Sequence, residues 1–217
     1  LGGMFYVVFF DWQDERRDSL IQDILWLEQS MRSQLTDHQG WAARTASEVG
    51  EGTLDEDRFQ AASELMLREN PEILSIELLN AQGQVEARAP SQFQAEHRRQ
   101  PLASFEERDA FEVARRQGQP AFSSAYYGLD KQARVDLQAP VYRDHRFAGS
   151  VRLSYSLPGM LHHEVPWWIG QKYQIAIVDL GGKVIAAKFT VGERPGSLWH
   201  EIDFSPPGND LSLRTTA

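Results

Sequence analysis

A short pattern that occurs twice in the chain constrains its fold more than any other feature. Residues 73–87 alternate apolar and polar positions, turn between Asn80 and Gly83, and alternate again, as two strands joined by a tight turn do. Residues 175–185 repeat the pattern at a constant offset of 99, placing Asp179 on Asn80 and Gly182 on Gly83. Because such a period is too long for a solenoid, the repeat predicts two copies of one small domain.

The segments after each hairpin predict an α+β fold. A helix is expected over residues 106–116, with Phe111 and Val113 facing inward, followed by strands over 122–127, 134–142 and 147–155. With the first hairpin they form a β-β-α-β-β-β unit, an antiparallel sheet with a helix on one face. Residues 157–169 are expected to be a connector. The second unit is smaller and comprises its hairpin, the segment around Trp199 and a strand over 211–214.

Two helices are predicted before the first hairpin. Apolar residues recur at helical spacing over residues 13–49, which predicts a helix about 55 Å long, loosened near Gly40. The apolar stripe of so long a helix is longer than a small hydrophobic core can cover. Part of the stripe is therefore expected to pair with a partner helix or to run beside the domain as a stalk. A second helix over 56–68 is capped by Thr53 and Asp55 and ends at Asn70-Pro71. It should place Phe59, Ala62 and Leu65 on one side.

The first ten residues are almost entirely apolar and lead to Trp12 and a charged stretch. A membrane-spanning helix needs about 20 apolar residues, so this run is interpreted as the end of a transmembrane helix, with a buried N-terminal element as the alternative. The final strand has no turn or cap after it, which indicates an excised segment. The predicted boundaries are 1–10 for the membrane helix, 11–69 for the stalk and second helix, 70–158 for a membrane-distal unit and 159–217 for a membrane-proximal unit.

Composition and motifs argue against several classes of function. A net charge of −9 disfavours nucleic-acid binding, and the absence of cysteine excludes disulfides, thiolate metal sites and cysteine nucleophiles. No nucleophile elbow, phosphate loop or dinucleotide fingerprint occurs. His162 and His163 are adjacent, so their side chains diverge and no metal site is expected. We therefore expect no catalytic activity in this segment and no cofactor.

The order of elements, together with the motif Leu137-Gln-Ala-Pro140-Val141 and the segment Phe147-Ala-Gly149-Ser-Val151, resembles the tandem Cache domain. These double PAS-like (PDC) modules are sensors outside the membrane in bacterial histidine kinases, chemoreceptors and diguanylate cyclases. The helix around Arg108 and Phe111 looks like that of the dicarboxylate-sensor type of kinase. Ala110 replaces one aromatic of that motif, so amino-acid sensing is not implied.

The resemblance implies a ligand in the membrane-distal unit, between the central sheet and the loop and helix over it. A small polar metabolite needs a cation for its carboxylate, hydroxyl groups for orientation and an aromatic wall. Because neighbouring strand positions face opposite ways, only one residue of the tyrosine pair at 126–127 can line the pocket. Arg98-Arg99 could close over an anion, or form a solvated loop pair. The candidate ligand-binding residues are Arg108 as the cation, Ser123, Tyr126, Tyr127, Arg134, Asp136 and Tyr155.

The resemblance further implies a periplasmic or extracellular sensor domain of a bacterial inner-membrane receptor, most like a sensor histidine kinase. Ligand binding would pass a conformational change through the long helix to the membrane, with a homodimer formed along that helix. The alternative is a dimerisation or protein-docking module without a small-molecule ligand. The apolar segment 166–169 fits burial between the units, or contact with a dimer partner or the membrane surface.

Overall fold

The computed structural model describes residues 2–188, 198–205, 207 and 210–217, with side chains from residue 15 onward. Its first element is a single helix of 50 residues, α1 (Gly2–Glu51). The helix extends further than predicted at both ends and continues through Gly40, because one glycine costs a helix only about 1 kcal/mol. Within the described residues, no helix has an apolar stretch long enough to cross a bilayer. The side chains of residues 1–10 lie outside the described part, so their assignment to a membrane helix stays a prediction.

The apolar stripe of α1 is buried by the chain itself. Both sheets contact this helix, and they cover its stripe along most of its length. From Leu20 onward the burial of the stripe therefore needs no partner helix, and the stalk and the dimer along α1 stay predictions. The buried apolar residues of the stripe are Leu20, Ile24, Leu27, Met31, Leu35, Ala42, Ala46 and Val49.

The second helix, α2 (Glu56–Glu69), begins where the sequence predicted, because the Asp55 side chain accepts a hydrogen bond from the backbone amide of Arg58. Its buried face is partly different from the prediction. Phe59 is buried as expected, but Leu65 is 49% exposed, and Met66 packs inward instead. The helix lies against the first two strands of the sheet that follows.

The first unit is an antiparallel sheet of six strands. These strands are β1 (Ile73–Asn80), β2 (Val85–Ala89), β3 (Ala121–Phe122), β4 (Tyr126–Tyr127), β5 (Ala133–Arg143) and β6 (Arg146–Ser156). Their order in the sheet is β2-β1-β6-β5-β3, with β4 also pairing with β5. The expected strand over 122–127 is split in two, because the Ser123 hydroxyl accepts a hydrogen bond from the amide of Asp136 and interrupts the ladder. Between β2 and β3 lie α3 (Gln94–His97) and α4 (Phe105–Gln117). On α4, Phe111 is buried as predicted, whereas Val113 is half-buried.

The predicted connector folds as two short helices, α5 (Leu157–Glu164) and α6 (Trp167–Lys172). The Ser156 side chain caps the first of them by accepting a hydrogen bond from the amide of Gly159. The second sheet follows and is smaller. Its strands are β7 (Gln174–Asp179), β8 (Val184–Lys188), β9 (Trp199–Asp203) and β10 (Leu211–Thr216). They are antiparallel, in the order β8-β7-β10-β9.

The two hairpins have the same turn geometry, which confirms the internal repeat. Gly83 and Gly182 both have positive φ angles, 74° and 78°. The Asn80 side chain accepts a hydrogen bond from the amide of Gln84 at 2.9 Å, and Asp179 accepts one from the amide of Lys183 at 2.9 Å. The residue types that define the repeat are thus those that the turn requires. The prediction of an α+β fold with two units, the second smaller, is confirmed.

Candidate functional site

One face of the first sheet is polar although it is buried. Along β6, Ser150, Arg152 and Ser154 alternate with Val151 and Leu153, and all five side chains are buried. The apolar set packs into the core shared with α1. The polar set therefore points to the opposite side of the sheet, which α4 covers.

A row of polar side chains crosses this face of the sheet from strand to strand. Arg152 on β6 lies opposite Glu77 on β1 and opposite Gln138 on β5, and Glu77 in turn lies opposite Arg88 on β2. Directly opposed residues of an antiparallel pair have side chains close enough to interact. The register alone therefore brings two arginines and one glutamate together.

Arg152 is the centre of a buried charged cluster. Its guanidinium forms ion pairs with Glu77, with Glu107 of α4 at 2.9 Å and with Asp136 of β5 at 3.6 Å. Arg88 pairs with Glu77 from the other side. We call Glu77, Arg88, Glu107, Asp136 and Arg152 the charged cluster; it contains three carboxylates and two guanidinium groups.

Hydroxyl groups complete the surroundings of Asp136. One oxygen, Oδ1, accepts hydrogen bonds from the Tyr126 hydroxyl and the Ser154 hydroxyl, both at 2.8 Å. Among the described residues, the other oxygen, Oδ2, has no hydrogen-bond partner, and neither do the Nε atoms of Arg88 and Arg152. Buried polar atoms are nearly always hydrogen-bonded, so these atoms leave capacity for a further polar partner at the cluster.

The protonation states follow from burial and charge. Burial, opposed by Arg152, raises the pKa of Asp136 to about 6. Burial also raises the pKa of Tyr126, which keeps its hydroxyl a donor. Burial acts against the charged form of Glu107, but Arg152 and the amides of Ser104 and Ala103 outweigh it and lower the pKa of this carboxyl. At neutral pH Glu107 is thus ionised, whereas Asp136 titrates close to the physiological range.

Replacement of Asp136 by asparagine is expected to change the pH dependence of stability. The folded chain holds a proton on Asp136 up to about pH 6, whereas an unfolded aspartate loses it near pH 4, so this residue's contribution to stability falls as pH rises through that window. Asparagine keeps the acceptor oxygen but does not titrate. Urea titrations of both proteins between about pH 4 and pH 7 measure this effect. As pH rises, the free energy of unfolding of wild type should fall relative to that of the variant by up to about 3 kcal/mol. A constant difference would contradict the assigned pKa.

Three of the sequence-predicted ligand residues lie at the cluster. Tyr126 and Asp136 are hydrogen-bonded to each other, and Ser123 holds the backbone of Asp136 at 2.8 Å. The neighbouring Tyr127 points away, is 53% exposed and has Lys183 of the second unit over its ring. The prediction that only one of the two tyrosines faces inward is confirmed.

The other three candidates lie outside the cluster. Arg108 is exposed on α4 and donates to the carbonyl oxygens of Leu102 and Ala103. Arg134 pairs with Asp130 at 2.8 Å at the margin of the sheet. Tyr155 lies on the opposite face, where its hydroxyl contacts Nδ1 of His38 on α1 at 3.1 Å.

The sequence argument missed the cation at the centre, Arg152, and the acidic groups Glu77 and Glu107. Residues 150–156 alternate serine and arginine with apolar residues, which is the ordinary pattern of an antiparallel strand with one solvated face, so the sequence carries no signal that Arg152 is buried. Glu107 has no signal either, since glutamate in the first turn of a helix is common for capping alone.

A polar cavity of about 590 Å³ lies beside the tip of the first hairpin. Arg98, Arg99 and Arg143 line it, together with the carboxylates of Asp55, Glu56 and Glu86. Arg98 forms an ion pair with Glu56 at 3.9 Å. The arginine pair at 98–99 therefore lines a cavity whose three arginines are balanced by three carboxylates. Among the described residues, no group of three histidine or acidic side chains is arranged to hold a metal ion.

The apolar segment 166–169 is divided between core and surface. Ile169 is buried, Trp168 packs against Trp26 of α1 with ring centroids 5.5 Å apart, and Trp167 is 72% exposed. Leu25 on α1 is also exposed. The second half of the segment, Trp168 and Ile169, thus packs against the rest of the chain. Trp167 and part of Trp26 stay exposed and form an aromatic surface.

Sequence comparison identifies one known protein that is similar to this chain over its full length. No family model matches the chain. It is 29% identical over 220 residues to the C4-dicarboxylate transport sensor protein DctS of Rhodobacter capsulatus, covering 100% of the chain and 31% of that protein. The chain thus spans about a third of the length of this relative.

Two solved structures illustrate the fold that this chain shares with known proteins. An extracellular ligand binding receptor from Desulfohalobium retbaense matches with a TM-score of 0.66 and 17% identity, over 91% of this chain and 40% of that one. The ligand-binding domain of the amino acid chemoreceptor PctB of Pseudomonas aeruginosa, in complex with L-Arg, matches with a TM-score of 0.65 and 13% identity, over 94% and 95%. The chain therefore has the fold of the extracellular ligand-binding domains of bacterial receptors, which confirms its resemblance to the tandem Cache sensors.

Proposed function

We propose that the chain is the extracytoplasmic sensor domain of a transmembrane receptor, a sensor histidine kinase, and that it binds a small dicarboxylate at the charged cluster. The full-length similarity to a C4-dicarboxylate sensor protein supports the ligand class. The proposal places the domain on the periplasmic side of a bacterial inner membrane, assigns it no catalysis, and keeps residues 70–158 and 159–217 as the distal and proximal units.

The observation that carries this proposal is the buried guanidinium of Arg152 beside the hydroxyl of Tyr126. Arginine offers a planar pair of donors that matches a carboxylate, and charge-assisted hydrogen bonds are about twice as strong as neutral ones. The α4 helix covers these groups and shields them from water, which strengthens the interaction. The arrangement suits a small carboxylate that enters between the sheet and α4.

A contact chain leads from the cluster to the long helix. Tyr155 lies on β6 three residues after Arg152, and its hydroxyl contacts Nδ1 of His38 on α1. The other ring nitrogen of His38 lies 3.0 Å from Oδ1 of Asn70, the C-cap residue of α2. We infer that a shift of β6 on ligand binding moves α1 through this contact, provided that the ligand binds the two states unequally.

Titration with succinate tests the ligand and the site together. At a hundredfold excess over its dissociation constant, succinate should raise the free energy of unfolding by about 2.7 kcal/mol. Tyr126→Phe removes one donor and leaves the ring, so it should weaken binding about tenfold in calorimetric titrations. Tyr127→Phe is the matched control, because that ring is exposed and its hydroxyl lies outside the cluster.

Two outcomes would contradict the proposal. Equal affinity of wild type and Tyr126→Phe would place the ligand elsewhere. No binding of succinate, fumarate or malate by well-folded protein would remove the proposed ligand class.

The alternative of a docking or dimerisation module is favoured by a different observation. The chain's own side chains occupy the polar face of the distal sheet, and an aromatic surface at Trp26 and Trp167 is exposed. If this alternative holds, the chain should dimerise in sedimentation equilibrium through that surface, and Trp167→Ser should weaken the dimer. A monomer at high concentration, together with succinate binding, would exclude it.

A further inference from the structure

Glu107 serves two parts of the molecule at once. Its Oε2 accepts hydrogen bonds from the backbone amides of Ser104 at 2.6 Å and Ala103 at 2.8 Å, which closes the first turn of α4. Its Oε1 accepts a hydrogen bond from Arg152 at 2.9 Å and lies 3.4 Å from the Tyr126 hydroxyl. One carboxylate thus joins the start of α4 to the centre of the sheet.

The groups around Glu107 are those that would receive a free carboxylate. A guanidinium group and two backbone amides donate to Glu107, and an ionised carboxylate is an acceptor only. The Tyr126 hydroxyl lies 3.4 Å from the same carboxylate and donates its single proton to Asp136, so it can donate to a ligand only by leaving Asp136. The side chain of Glu107 therefore occupies the position in which a carboxylate ligand would be bound most strongly.

The charges of the cluster make simple addition of a ligand unfavourable. Three carboxylates already share two guanidinium groups there. A further buried anion without a new cation costs free energy, because buried charge must be paired. A carboxylate ligand can bind Arg152 only if one of the internal carboxylates gives up its place.

Glu107 is the carboxylate best placed to leave. The side chains of Glu77 and Asp136 are 1% and 0% exposed and lie on the central strands β1 and β5, whereas that of Glu107 is 11% exposed and lies on a helix. Glu77 is also held by both arginines. Movement of Glu107 needs only the start of α4 to shift, not the sheet.

We propose that Glu107 is a built-in competitor of the ligand, which occupies Arg152 and Tyr126 when the site is empty and is displaced by a ligand carboxylate. This inference rests on the proposed function of the cluster. It also provides the difference between two states that signalling requires, since the first turn of α4 is joined to the sheet in one state and released in the other.

The test is calorimetric titration of succinate into wild type and Glu107→Gln. An amide pairs with Arg152 more weakly than a carboxylate does, so the dissociation constant of the variant should be about tenfold lower. Glu107→Asp is a second variant, because the shorter side chain still caps the helix but reaches less far toward Arg152, and it should tighten binding too. Glu106→Gln is the matched control, since it removes a charge from the same helical turn outside the cluster.

The outcomes separate this inference from the function on which it rests. If wild type binds succinate and neither Glu107 variant binds it more tightly, the competitor role is wrong while the ligand site stands. If succinate binds neither the wild type nor the Glu107 variants, both are wrong. Tighter binding by both variants, with Glu106→Gln unchanged, is the result that the inference requires.

Discussion

Replacement of Arg152 by methionine is expected to destabilise the chain more than any other single change in the first unit. Methionine fills much of the same volume but leaves Glu77, Glu107 and Asp136 without their shared cation. Removal of one partner from a buried ion pair typically costs about 3–5 kcal/mol, because the remaining charge stays buried and unpaired. Urea unfolding at neutral pH measures this loss.

A second signature distinguishes lost charge pairing from lost packing. Protonation of the orphaned carboxylates relieves the penalty, so the loss caused by Arg152→Met should be smaller at about pH 5 than at about pH 7.5. Arg134→Met is the matched control, since Arg134 pairs with the half-exposed Asp130, and an exposed pair contributes about 1 kcal/mol or less. A loss for Arg152→Met that equals the control would show that the cluster is not organised around Arg152.

Replacement of Gly149 by alanine is expected to be the second most damaging change. Gly149 has a φ angle of 150°, and a Cβ atom there would lie 1.9 Å from the carbonyl oxygen of Leu79 on β1. The contact is with backbone in the middle of the sheet, so relief requires a shift of β1 against β6. We expect a loss of about 3 kcal/mol from the strained conformation and the clash together, visible as a fall in Tm of about 10 °C.

Gly52→Ala is the comparison variant for a positive φ angle without a clash. The φ angle of Gly52 is 75°, in the left-handed helical region, and nothing lies within 4 Å of its added Cβ. This variant should lose about 1 kcal/mol from its backbone conformation alone. A Gly149→Ala variant as stable as Gly52→Ala would show that β1 and β6 are not so closely packed at this position.

The fold could be predicted largely because its signals are local. The Asn80 and Gly83 turn and the Asp55 cap depend on neighbouring residues, and the structure confirms both of them. The break at Ser123 could not be predicted, because it depends on a hydrogen bond to Asp136, which lies 13 residues away. The burial of the α1 stripe likewise depends on how both sheets pack around the helix.

The site was harder to predict than the fold, for a physical reason. Arg108 satisfied the requirement for a cation by type and position, but its side chain turns back to the carbonyl oxygens of its own N-terminal turn. Arg152 is the central cation because it lies opposite Glu77 on the neighbouring strand and because α4 brings Glu107 within 2.9 Å of its guanidinium. The turn at 144–145 does not by itself give this register, because a bulge between Val141 and Tyr142 shifts the pairing of β5 with β6 by one residue. No turn joins β1 to β6, so the position of Glu77 opposite Arg152 follows from how the whole sheet assembles.

The most direct test of the central claim is a crystal structure of the chain grown with succinate. The account predicts one carboxylate of succinate within hydrogen-bond distance of the guanidinium of Arg152 and the hydroxyl of Tyr126, under α4. Succinate bound instead among Arg98, Arg99 and Arg143, with the charged cluster unchanged, would contradict it.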